Sequence, residues 1–86
     1  MPVVLRRDGL RYLFFSNEGD PREPPHVHVR GGGKDAKIWL EPSVTLVESY
    51  GFTSGDLRRI LNVVQENRTE LLRAWHDYFG DGGSLR

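Results

Sequence analysis

The sequence predicts an α+β fold: an antiparallel sheet of four to five strands, built as two hairpins, with one face packed on one long C-terminal helix that bends at most once. Three observations carry this expectation. Up to Tyr50, apolar and polar residues alternate in short runs with a period of two. An Asp8-Gly9 pair and a run of three glycines punctuate these runs where hairpins would turn. From Thr53 the apolar period becomes helical and holds until Gly80.

The first hairpin is written in "VVLRR", Asp8-Gly9 and "LRYLFF". A two-residue Asp-Gly turn accepts the positive φ values that a tight hairpin demands, and it sets Leu5 opposite Tyr12 and Val3 opposite Phe14. The next stretch, "SNEGDPREPP", is dense in turn formers, and its prolines lack the donor that a central strand needs. It reads as a long loop of the kind that often binds something.

"HVHVR", "GGGKD" and "AKIWLE" read as the second hairpin. Alternation places Val27, Val29, Ala36, Ile38 and Leu40 on one face, and His26, His28, Arg30, Lys37, Trp39 and Glu41 on the other. Matching apolar with apolar pairs Val29 with Ile38, which sets His28 opposite Trp39 and His26 opposite Glu41. "VTLVESY" after Pro42 adds a fifth, edge-like strand. Thr53 and Asp56 then form a capping-box pattern. Leu57, Ile60, Leu61, Val64, Leu71, Leu72, Trp75 and Tyr78 follow at helical spacing, giving one helix over 54–79, or two with a bend near Asn67, and a flexible tail over 80–86. Roughly 26 helical residues would extend about 39 Å, longer than a small sheet is wide, so part of the helix overhangs or docks on another subunit.

The 86 residues make one domain, with no internal repeat and no linker. A chain this short buries only about 60–65% of the surface its unfolded state exposes, so association with itself or a partner would add stability. Twelve basic and twelve acidic residues cancel, which argues against a protein held on duplex DNA by its phosphates. Cysteine is absent, and with it any disulfide framework, thiolate zinc site or cysteine nucleophile. Arg6, Arg7, Asp8 and Arg11 stand where a signal peptide needs an apolar core, and no apolar run is long enough to span a bilayer. The expected location is the cytoplasm, away from membranes.

The alternating histidines of "EPPHVHV" are the main chemical candidate. Imidazoles titrate near neutrality, so His26 and His28 are candidate acid–base catalysts or a pair of metal ligands. No resident cofactor is expected, but a divalent metal would fit if Glu41, or a loop carboxylate of Glu18, Asp20 or Glu23, supplied a third ligand. The bland alternative is a pair of surface rings packed beside Trp39. An anion or RNA site is a further alternative, with His28 and Trp39 stacking bases and Arg30, Lys34 and Lys37 meeting phosphate. "GGGK" is a turn rather than a phosphate loop, because no Ser, Thr or helix follows it. His76 reads as a helix C-terminal residue favoured by the dipole, and Trp75 with Phe79 as core or subunit contact. No serine lies in a nucleophile-elbow context.

Together "MPVVLR", "FFSNEG", "EPPHVHV", "AKIWLEP" and "ENRTELLRAWHDYF" resemble the bacterial family catalogued as domain of unknown function 4160, over residues 1–80. His26 and His28, behind Pro24 and Pro25, match its Pro-Pro-His-x-His element, and Asn17 and Glu18 match its loop. The resemblance carries no agreed activity. It implies a short protein encoded beside a second small protein, in a toxin–antitoxin-like arrangement. If the chain is an enzyme, His26 and His28 would divide acid and base roles in RNA cleavage while Arg30 or Lys37 holds phosphate. The competing expectation is a protein-binding or metal-binding module without turnover.

Overall fold

The computed structural model describes residues 2–15 and 23–80. Strands β1 (Val3–Arg7), β2 (Leu10–Leu13), β3 (His26–Gly31), β4 (Lys34–Trp39) and β5 (Thr45–Tyr50) precede helices α1 (Ser54–Glu66) and α2 (Arg68–Phe79). The strands form a single antiparallel sheet in the order β1-β2-β3-β4-β5. Most of the expected loop, residues 16–22, and the tail beyond Gly80 lie outside the described residues.

Both hairpins close on two-residue turns with positive φ, Asp8 and Gly9 at 56° and 78°, and Gly32 and Gly33 at 59° and 76°. Such turns match the right-handed twist of the flanking strands, which is why Gly and Asp-Gly occur there. The second turn is tighter than "GGGKD" suggested, because Gly31 and Lys34 join the ladder. The register therefore moves by two residues: Val29 pairs with Ala36 rather than Ile38, His28 with Lys37 rather than Trp39, and His26 with Trp39 rather than Glu41. A shift of two leaves every side chain on its expected face.

Leu5 pairs with Tyr12 as expected, but Val3 meets Leu13 instead of Phe14 because the register slips between Val3 and Leu5. The extra residue, Val4, packs with Leu5 against the core. Beyond the slip, the Phe14 amide donates to the Pro2 carbonyl at 3.1 Å.

One sheet face supplies Tyr12, Phe14, Val27, Val29, Ala36, Ile38 and Leu40 to the core, and the helices cover it with Ile60, Val63, Val64, Leu71 and Trp75. Tyr78, expected among these, is 43% exposed. The long helix of the sequence reading is two helices. Asn67 ends the first: its amide is shared between the Val63 and Val64 carbonyls at 3.0 and 3.2 Å. Its side-chain amide also donates to the Val63 carbonyl, at 2.8 Å. A short polar side chain that bonds the preceding turn competes with the regular ladder. Arg68 then opens α2 by donating from Nε to the Leu40 carbonyl at 2.8 Å and from Nη2 to the Pro42 carbonyl at 3.4 Å. These bonds fasten the second helix to the end of β4. No helix among the described residues is long and apolar enough to cross a membrane.

The capping box forms as the sequence predicts, with the Thr53 amide donating to Asp56 Oδ2 and the Asp56 amide to Thr53 Oγ1, both at 3.0 Å. The Thr53 backbone bond, then the Thr53 side-chain bond, hold the Asp56 carboxyl below the ordinary aspartate range, with Lys34 and Arg59 adding to the effect. Thr53→Ala should cost about 1 kcal/mol in chemical denaturation. A group with a lowered folded-state pKa stabilises above its unfolded pKa, and that stability is lost as pH falls through the folded value. The melting-temperature gap between the native chain and Asp56→Ala should therefore be full above pH ~4 and shrink as the pH is taken lower. A gap that stays constant between neutral and strongly acid pH would contradict this account.

Candidate functional site

The sheet face turned away from the helices carries the sequence-predicted residues in three cross-strand rows. Because directly paired residues share a face, the ladder places Arg6, Arg11, Arg30, Asp35 and Tyr50 in one row, and Leu13, His28, Lys37 and Glu48 in the next. His26, Trp39 and Thr45 form the third.

The two histidines lie on this face, as alternation predicts, but they are not equivalent. His26 was expected at the surface and is 0% exposed. Its ring sits 5.2 Å from His28, 5.5 Å from Trp39 and 5.0 Å from Trp75. Trp75 belongs to the helix layer, so His26, at the beginning of β3, is where the two layers meet around the sheet's end. Nδ1 of His26 donates to the Pro24 carbonyl at 3.0 Å, and the next carbonyl, of Pro25, accepts the Leu40 amide at 2.8 Å. The double proline thus offers both carbonyls to the fold where a strand amide would be lost anyway.

His28 is half-buried under Phe15, with ring centroids 4.1 Å apart and planes 24° from parallel. The Arg30 guanidinium lies over the same Phe15 ring at 5.3 Å. Lys37, expected as an anion contact, is already engaged: Nζ is 3.1 Å from Glu23 Oε1 and 5.0 Å from the Trp39 ring. Glu23 Oε1 also stands 3.9 Å from His26 Nδ1. Arginine, rings, lysine and carboxylate thereby make one continuous strip across the sheet, in the order Arg30, Phe15, His28, His26, Trp39, Lys37 and Glu23.

Of the remaining candidates, Asn17, Glu18 and Asp20 lie outside the described residues. Glu41 falls two residues beyond Trp39, past the end of β4, so it does not face His26. Among the described residues no three His, Asp or Glu side chains gather as a metal-ligand set. The Lys34 ammonium turns to the helix side, 5.9 Å over the Phe52 ring. His76 does not cap α2 through Nδ1, which is buried with no hydrogen-bond partner among the described residues. The Gly80 amide instead donates to the His76 carbonyl at 2.7 Å.

Sequence reasoning missed Phe15, Tyr50, Arg6 and Arg11 as members of this face. For Phe15 the signal was present, since it continues the alternation of Arg11 and Leu13. For the others the signal is the pairing of separate strands, which becomes visible only once the register is known.

A family model described as Domain of unknown function (DUF4160) matches residues 9–76. No curated protein and no solved structure matches the chain.

The unequal burial of the two histidines is testable by denaturation. His26→Ala empties a sealed position between three rings and should cost about 3 kcal/mol, on the scale of other buried-ring truncations. His28→Ala removes the stacking on Phe15 and an edge contact with His26 at a half-buried position and should cost less, about 1 kcal/mol. Equal losses in urea melts would show that the two rings have similar structural weight.

Proposed function

We propose that this chain, which belongs to the DUF4160 family, is a recognition module whose open sheet face docks a second small protein in the cytoplasm. The histidine pair builds that face and does no chemistry on it. The burial of His26 carries this reading. Acid–base cleavage of RNA needs two imidazoles that reach one phosphodiester and exchange protons with it. His26 has no exposed surface and commits Nδ1 to Pro24.

The composition of the open face points the same way. Arg30 and Tyr50 are exposed, Phe15 and Trp39 half-buried. Arginine and large aromatic residues are the types that dominate the energetics of protein–protein interfaces. Nucleic-acid surfaces are more strongly positive, and here basic and acidic residues balance over the whole chain. A domain of this size also gains the most from a partner that covers part of its surface. The toxin–antitoxin-like arrangement implied by the family resemblance supplies a candidate, the small protein encoded alongside.

Co-expression of the chain with that neighbour should give a complex that survives size-exclusion chromatography, and Tyr50→Ala or Arg30→Ala should weaken it about tenfold or more, as central interface truncations do. Purified chain incubated with single-stranded RNA should leave it intact. Cleavage by the native chain that disappears in a folded His28→Ala variant would overturn the proposal in favour of catalysis. Failure of the neighbour to co-purify would remove its proposed partner.

A further inference from the structure

The row formed by Arg6, Arg11 and Arg30 is the feature that the fold itself least explains. Arg6 pairs directly with Arg11, and Arg11 directly with Arg30, so three arginines occupy adjoining positions on three neighbouring strands. Like charges placed opposite one another across a ladder destabilise a sheet. All three side chains are exposed, and none has a carboxylate of a described residue within ion-pair reach. Asp35 stands directly opposite Arg30 without forming an ion pair with it. Three like charges in adjoining ladder positions, offset among the described residues only at Arg30, by the Phe15 ring and by Asp35 opposite, are the kind of departure expected at a functional surface.

A hollow opens beside the row, at the turn between β3 and β4. Its volume is about 250 Å³, and its walls are Arg11, Arg30, the glycine turn at residues 31–33, Lys34 and Asp35. The Lys34 ammonium is directed to Phe52 on the other side of the sheet and the Arg30 guanidinium lies over Phe15, so Arg11 is the arginine without a ring contact in this wall, which Asp35 shares. Gly32 and Gly33 lie beyond the last ladder pair, and the absence of side chains there leaves the backbone of the turn open to a ligand.

We infer that this row is the receptor for an acidic segment of the partner protein, an extended stretch presenting two or three closely spaced Asp or Glu carboxylates. The inference rests on the docking reading and names the chemistry that the partner must bring. Guanidinium groups pair with carboxylates bidentately, in a fixed fork geometry that lysine cannot reproduce. Opposed positions on adjacent strands are about 5 Å apart, so three arginines span about 10 Å. Same-face carboxylates of an extended peptide recur about every 7 Å, and two or three of them match that length. A nucleic-acid strand is the poorer match. Asp35 and then Tyr50 follow Arg30 in the row on β4 and β5, so the basic positions do not continue as a track along which several phosphates would lie.

The test is fluorescence anisotropy with the full chain and two labelled probes of similar charge, a hexapeptide of alternating Asp and Glu and a hexamer of uridine RNA. The peptide should bind more tightly than the RNA and weaken with added salt. Its Kd should rise about tenfold or more in the Arg6→Gln, Arg11→Gln, Arg30→Gln triple variant, each lost charged contact contributing to the change. That variant should melt at the same temperature as the native chain or higher, since it removes like-charge repulsion. The corresponding triple Lys variant keeps the charge and should retain only part of the affinity. Absence of peptide binding, an unchanged Kd in both triple variants, or tighter binding of the RNA would each overturn the inference. Neither probe is the partner, so a negative result here leaves the docking reading standing, and loss of the co-purified complex leaves the preference of the arginine row to be read from the probes.

Discussion

The indole of Trp75 is the contact on which the arrangement of this small protein depends. It is 1% exposed, lies edge-on to Phe14 at 5.3 Å, and packs 5.0 Å from His26 and 4.2 Å from Phe79. Phe14 follows β2 and His26 begins β3, so one side chain of α2 joins the ends of two strands. Aromatic pairs of this geometry add about 0.5–1.5 kcal/mol each beyond the area they bury, a considerable fraction of the margin by which a domain of this size stays folded.

That contact explains the break in the helix. A sheet of short strands offers limited length to a covering helix, and a straight helix of some 26 residues would run past it. Ending α1 at Asn67 and restarting with Arg68 lets the second helix be fastened separately, by Arg68 to the end of β4 and by Trp75 to the start of β3. His26 then has rings on both sides of the sheet's end. The Pro-Pro-His-x-His element is accordingly a joint between layers, with Pro24 holding the imidazole and Pro25 continuing the pairing with β4. Its second histidine is the one that faces outward, into the strip of Phe15, Arg30 and Trp39.

The molecule therefore divides its polar groups between two tasks. Lys37, Glu23 and His26 are engaged with one another and with neighbouring rings, and Asp56 and Arg59 with the start of α1. Arg6, Arg11 and Arg30 make no ion pair with a carboxylate among the described residues, Arg30 lying over the Phe15 ring, and they share a face with the exposed Tyr50. The first set stabilises the platform, and we read the second as what the platform presents for recognition. This division is why we place recognition at the arginine and tyrosine row and assign the histidines to the platform.

Much of the fold was legible in the residues themselves. Alternation and Asp-Gly or Gly-Gly chemistry specify strands and turns because they act over a few neighbouring residues, and the Thr53 and Asp56 cap is equally local. The faces of β3 and β4 were assigned correctly because a register error of two residues preserves the face, whereas the one-residue slip at Val4 carries Val3 to the face opposite the one expected. What tertiary structure alone decided were quantities set by distant parts of the chain: the partners of His26 and His28, the slip at Val4, the break at Asn67, and above all the burial of His26. A histidine on the polar side of a strand reads as exposed until Trp75, some fifty positions away, closes over it. The arginine row was hidden for the same reason, since Arg6, Arg11 and Arg30 have no periodic relation in sequence and become neighbours only when three strands are brought into register.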